Sequence, residues 1–192
     1  MKASPLPFIR AHFATYVDDS TGRQRWRDHI WFHGLPLLTF ALLGWFEVAI
    51  PNAASVGLIT VMGFLSAFLF GAMLQVAQRA LDWSDKEPVP GEDTTAHAEY
   101  LRQLAANTGY ASLISIVTAG AFVVAAAATQ EELVAGFTAL GLALTVHLVL
   151  ILLMVMGRVL ALTDSRLIRA ETGGASQTRI SVRRGRRAAS KP

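Results

Sequence analysis

The chain has 192 residues, of which 53% are apolar and 16% charged, with a formal net charge of +3. Ordinary soluble domains carry charge on roughly a quarter of their residues, so this composition excludes that class and indicates a compact protein with several membrane spans. The sequence has no cysteine, which excludes disulfides, thiolate metal sites, iron–sulfur clusters and thiol catalysis.

The N-terminal segment, residues 1–29, is polar and holds five of the 17 lysines and arginines. Ile9, Phe13, Tyr16 and Val17 recur in it at helical spacing. This pattern fits a short helix at the membrane interface. A tail that packs on neighbouring loops is the alternative, and the sequence leaves both open.

The first two predicted spans are about 30–50 and 56–78, joined by a connection short enough to make them antiparallel neighbours. Pro36 removes a backbone donor and predicts a bend near Phe32. Small residues let helices approach closely, so we predict that the second span is the most buried of the four. The candidate helix-packing residues are Gly57, Gly63, Ser66 and Gly71.

The last two predicted spans are about 108–128 and 133–158. No helix breaker occurs between Ala96 and the third span, so we expect one helix to start outside the membrane and continue into it. The fourth span runs 25 residues without a charge from Leu133. At 1.5 Å per residue it is long enough to cross a hydrocarbon core of about 30 Å.

The basic residues are distributed asymmetrically. Residues 1–29 hold five, residues 79–106 hold three, residues 158–192 hold nine, and the two predicted outer turns hold none. The positive-inside rule then predicts cytoplasmic termini and a cytoplasmic long loop, in a bacterial inner or plasma membrane. The predicted fold is all-α, a polytopic membrane protein with four transmembrane helices in an up-down bundle (residues 30–170) and a disordered tail (residues 171–192).

His147 is the only ionisable residue deep inside a predicted span. An intramembrane polar residue is a functional hypothesis by default, here a proton-linked gate, a haem ligand or a pore-lining group. The alternative is a structural hydrogen bond to a hydroxyl group of another span. The candidate partners are Thr39, Thr60, Ser66, Ser115 and Thr118. His33 and His147 differ in predicted depth by about 10 Å, which argues against paired haem ligation.

Two further sites involve ionisable residues near the predicted membrane surfaces. A ring of Glu47 side chains in an oligomer would select cations, although a solvated carboxylate is the simpler interpretation. His29 and His33 share a helix face at a spacing that chelates metal, but a third ligand would have to come from the distant His12 or His97. We therefore predict neither a metal nor another cofactor.

The tail carries six positive charges within 13 residues. Such a cluster attracts anionic lipid headgroups, and nucleic acid without sequence preference. No aromatic residue is interleaved to stack on bases, so we expect no specific nucleic-acid partner. Weak pairing with the acidic loop, residues 82–93, is a further alternative. The basic residues are Arg179, Arg183, Arg184, Arg186, Arg187 and Lys191.

The sequence contains no GxGxxG, GxxxxGK[ST], HExxH or GxSxG motif, and we predict no enzymatic activity. The first functional hypothesis is a non-catalytic component of a membrane assembly that docks partners through the cytoplasmic loop and tail. The second is a homo-oligomeric pore or membrane-disrupting effector, similar in architecture alone to small multi-span effectors of bacterial antiviral systems. The third is a small transporter or cofactor-binding subunit.

Overall fold

The computed structural model describes residues 9–10, 12–13, 30–84 and 94–189, with side chains for 30–83 and 98–160 of the two long ranges. Throughout this part of the chain the regular elements are helices, and it contains no strand. The prediction of an all-helical protein is therefore confirmed.

Four helices make up the described fold. A π-helical turn, Ile30–Gly34, leads into α1, Leu35–Trp45, and α2 follows as Asn52–Ser84. α3 is Thr94–Ala127, and α4 begins at Glu131 and ends at Ala189. Helices α2, α3 and α4 are long and apolar enough to cross a membrane, whereas the π-helical turn and α1 together form a shorter apolar helix. The expectation that α3 starts well before the third span and continues into it is confirmed.

The first helix ends earlier than the predicted span of residues 30–50. The α-helix stops at Trp45, and the N–H of Val48 donates to the carbonyl of Leu43 at 3.0 Å. Glu47 lies between them with a φ of 49°, in the left-handed region. This geometry is a Schellman cap, which turns the chain out of the helix before the apolar run is finished.

Replacing Glu47 by glycine should stabilise the protein. Left-handed backbone raises the free energy of a residue that has a Cβ by about 1–2 kcal/mol, and it does not do so for glycine. We expect Glu47→Gly to raise the free energy of unfolding by about 1 kcal/mol. Glu47→Ala is the control, because it removes the carboxylate and keeps the strained backbone. An equal gain from both variants, measured by reversible unfolding in detergent, would assign the effect to the charge instead.

Helix α3 is the most buried of the three long helices. In their most apolar stretches, 39% of α3 is buried, against 33% of α4 and 22% of α2. The prediction that the second span, α2, is the most buried is wrong, because α2 buries only one face. The core cluster joins all three helices and consists of Met62, Leu69, Tyr110, Ala111, Leu148 and Ile151.

Hydroxyl groups link α2 to α3. Ser66 Oγ lies 3.1 Å from Ser112 Oγ, the Ser112 hydroxyl donates to the Ser66 carbonyl at 3.1 Å, and the Ser115 hydroxyl donates to the Met62 carbonyl at 2.7 Å. Ser66 thus lies at the contact between α2 and α3. The other three candidates differ: Gly57, Gly63 and Gly71 have open space where a Cβ would stand, so they contact no other described helix of this chain.

The chain divides into two compact units, Met1–Val155 and Met156–Pro192. The second unit is helical to Ala189, whereas the sequence predicts a disordered tail from residue 171. No proline interrupts residues 156–191, so the backbone can keep its helical hydrogen bonds across the two glycines at 173 and 174. The side chains of the six basic tail residues lie outside the described part.

Candidate functional site

His147 is the centre of a buried polar network in the first unit. Only 7% of the residue is exposed. Its Nδ1 lies 2.8 Å from the carbonyl oxygen of Phe32, and its Nε2 lies 3.2 Å from the hydroxyl of Tyr110. A carbonyl only accepts, so Nδ1 carries a proton, and Nε2 of the neutral ring accepts from the tyrosine hydroxyl. Both ring nitrogens therefore have partners within the protein.

Pro36 removes the N–H group from which the Phe32 carbonyl would accept in an α-helix. In an α-helix this carbonyl would accept from the N–H of the residue four positions later, and that residue is proline. The backbone becomes π-helical at this point, from Ile30 to Gly34. The sequence predicts a bend near Phe32, and the structure has a π-helical turn there. The Phe32 carbonyl is where α4 attaches to the first helix through His147.

The described part of the N-terminal segment joins the same network. The ring of His12 stacks on the ring of Tyr110, with centroids 4.0 Å apart and planes 16° apart. Its Nδ1 lies 2.8 Å from Oδ1 of Asn107, and the residue is fully buried. Asn107 and Tyr110 are three residues apart, so they share one face of α3. These contacts hold His12 against α3.

His33 completes the cluster, and its position corrects the predicted depths. The ring centroids of His33 and His147 are 5.6 Å apart, so the predicted separation of about 10 Å is wrong. Counting helical rise from assumed boundaries ignores helix tilt and side-chain reach. Phe13 stacks on His33 with centroids 5.5 Å apart. Within the described residues no group of three histidine or carboxylate side chains is arranged to hold a metal. His29 lies outside the described residues, and His97 lies outside the range in which side chains are described.

The five hydroxyl residues predicted as partners of His147 bond elsewhere. Thr39, Thr60 and Thr118 each donate to a carbonyl one turn back in their own helix. Ser66 and Ser115 link α2 to α3. Tyr110 is buried in the core, and its hydroxyl takes the place of those hydroxyls as the partner of His147.

Glu47 lies at a different site from His147. It lines an open cavity of about 630 Å³ together with Glu131 and Glu132 at the start of α4. His147 and Tyr110 line a second cavity of about 430 Å³ between the first helix, α3 and α4. Glu47 and His147, the two predicted intramembrane candidates, thus line different cavities. No described residue lines both cavities.

Sequence reasoning missed His12, Asn107 and Tyr110 as members of the network. The available signal is the helical spacing of Asn107 and Tyr110 at the entry to an apolar span, where a polar residue needs a buried partner. Comparison with protein-family models, with curated proteins and with solved structures finds no match to this chain. The chemistry of the site is therefore argued from its geometry alone. Each ring nitrogen of His147 has a hydrogen-bond partner, and these bonds connect α4 to the first helix and to α3.

Proposed function

We propose that this protein is a non-catalytic integral membrane component of a membrane-associated assembly, and that α2 docks a second membrane helix. The observation that carries the proposal is the face of α2 that points away from the core cluster. The polar network around His147 supports a structural scaffold, because its ring nitrogens bond to Phe32 and Tyr110 and leave none for a substrate.

The α2 groove consists of Gly63, Ala67 and Gly71, spaced every fourth residue on that face. A Cβ at either glycine would meet no atom within 4 Å. Phe64 and Phe68 flank the groove with 77% and 65% of their surface exposed. Small residues at this spacing let two helix backbones approach closely in a bilayer, where packing rather than the hydrophobic effect drives association.

The proposed membrane is a bacterial inner or plasma membrane, with both termini in the cytoplasm and four spans, the shorter first helix included. The distribution of lysines and arginines supports this orientation. The acidic loop and the basic tail would then be docking surfaces on the cytoplasmic side, and the tail would also contact anionic headgroups.

The test compares leucine substitutions on two exposed helix faces. We expect Gly63→Leu and Gly71→Leu to lower the yield of cross-linked complexes from native membranes about tenfold, equivalent to 1.4 kcal/mol of association free energy. Gly120→Leu on α3 is the matched control, because a Cβ there also meets open space. The measurement is chemical cross-linking of the full chain followed by mass spectrometry of the cross-linked species.

The identity of the cross-linked species separates two functions. A different membrane protein supports the assembly component. Multiples of this chain alone support the second candidate, a homo-oligomeric pore, which the same groove favours; a membrane-potential dye then has to report depolarisation on expression. Cross-linking that stays at the wild-type level in both groove variants would contradict docking at α2.

A further inference from the structure

The cavity beside His147 has a volume and an apolar lining that the proposed docking function does not explain. Its volume is about 430 Å³, within the range of small-ligand sites in proteins. Pro36, Leu37 and Phe40 line it from the first helix, and Ile114, Ala143 and Leu144 line it from α3 and α4. Leu37 and Phe40 are exposed, so one side of the cavity opens on the surface that would face lipid.

The polar groups at its end offer little to a ligand. The Tyr110 hydroxyl bonds to His147, and the second nitrogen of His147 bonds to the Phe32 carbonyl. An occupant would have to break these bonds before using them, and a polar group buried there without a partner would be unfavourable. The part of the occupant inside the cavity is therefore hydrocarbon.

We propose that this cavity holds one acyl chain of an anionic phospholipid from the leaflet on the side of the N-terminal segment. His33 lines the cavity and stacks on Phe13, so this residue of the N-terminal segment lies next to the end occupied by the polar network. Arg10 is exposed in the same segment, three residues before Phe13. A basic residue near the surface favours an anionic headgroup about fivefold. The apolar lining of the cavity and the positive charge of Arg10, in the segment that contacts His33 through Phe13, thus favour the same ligand.

The experiment measures lipid retained by the full chain. The protein is reconstituted in nanodiscs of equal phosphatidylglycerol and phosphatidylcholine, extracted into mild detergent and weighed by native mass spectrometry. We expect one phosphatidylglycerol per chain. Ala143→Phe fills the cavity and should lower that bound fraction about tenfold. Val123→Phe adds the same ring at an exposed position of α3 outside the cavity lining and should leave it unchanged.

Two further variants guard against misfolding and test the headgroup. Leu37→Trp narrows the cavity from its exposed rim without entering the core, so it should lower retention even if Ala143→Phe fails to fold. Arg10→Gln should lower the preference for phosphatidylglycerol over phosphatidylcholine about fivefold. Retention that survives Ala143→Phe and Leu37→Trp would overturn the cavity as the site. Equal retention of both lipids by the wild type would overturn the anionic ligand.

Discussion

His147→Leu should destabilise the protein by about 1–3 kcal/mol, because it removes two hydrogen bonds and leaves one buried and one part-buried group without these partners. One is the Tyr110 hydroxyl and the other is the Phe32 carbonyl that Pro36 deprives of its helical donor. Leucine fills a similar volume, so packing contributes little to the loss. The measurement is the free energy of unfolding in detergent or bicelles.

A double-mutant cycle identifies the source of this loss. Tyr110→Phe removes the hydroxyl and keeps the ring that stacks on His12, and its effect should be less than additive with that of His147→Leu. Thr145→Val is the matched control on α4, since that hydroxyl donates to the Gly141 carbonyl of its own helix and loses no bond between helices. If His147→Leu keeps the wild-type free energy of unfolding while the assembly loses its activity, His147 has a functional role rather than a structural one.

Gly141→Ala should also destabilise the protein, by about 1–3 kcal/mol, through overpacking. A Cβ at this position would lie 2.7 Å from Cε1 and 2.8 Å from Cζ of Phe122. Phe122 is fully buried, so its ring cannot move aside into solvent or lipid. The helix contact between α3 and α4 would have to open to admit one methyl group.

Gly136→Ala provides the comparison on the same helix. A Cβ there meets no atom within 4 Å, so the change should stabilise α4 by up to about 1 kcal/mol through helix propensity. Phe122→Leu in the Gly141→Ala background should recover part of the loss by returning space. Equal effects of alanine at positions 136 and 141 on the free energy of unfolding would contradict a close helix contact at Gly141.

Apolar run length predicted the helical class, because a helix in a membrane must be continuous and apolar whatever packs around it. It also predicted the unbroken α3. It failed at the end of the first helix, where Glu47 adopts left-handed backbone that its residue type does not signal. The burial of α2 was overestimated for a related reason: Gly63 and Gly71 indicate how closely a helix can approach, and they do not indicate that one is present.

The candidate site was predicted in part. His147 could be identified because it is ionisable and lies within an apolar run. This identification does not require knowledge of its hydrogen-bond partners. Its partners come from positions 37 and 115 residues away in the chain, and His12 is 95 residues from Asn107. No local pattern encodes such distances. Pro36 was the usable clue, since it removes the N–H group from which the Phe32 carbonyl would accept in an α-helix, although the sequence does not say that His147 donates to this carbonyl.

The bond between His147 and the Phe32 carbonyl has a consequence for biosynthesis. A ribosome adding about 5–20 residues per second needs roughly 6–23 s to make the 115 residues between them. Throughout that interval the Phe32 carbonyl cannot make its bond to His147. The hydrogen bond between the first helix and α4 therefore forms only after the chain has been translated beyond residue 147.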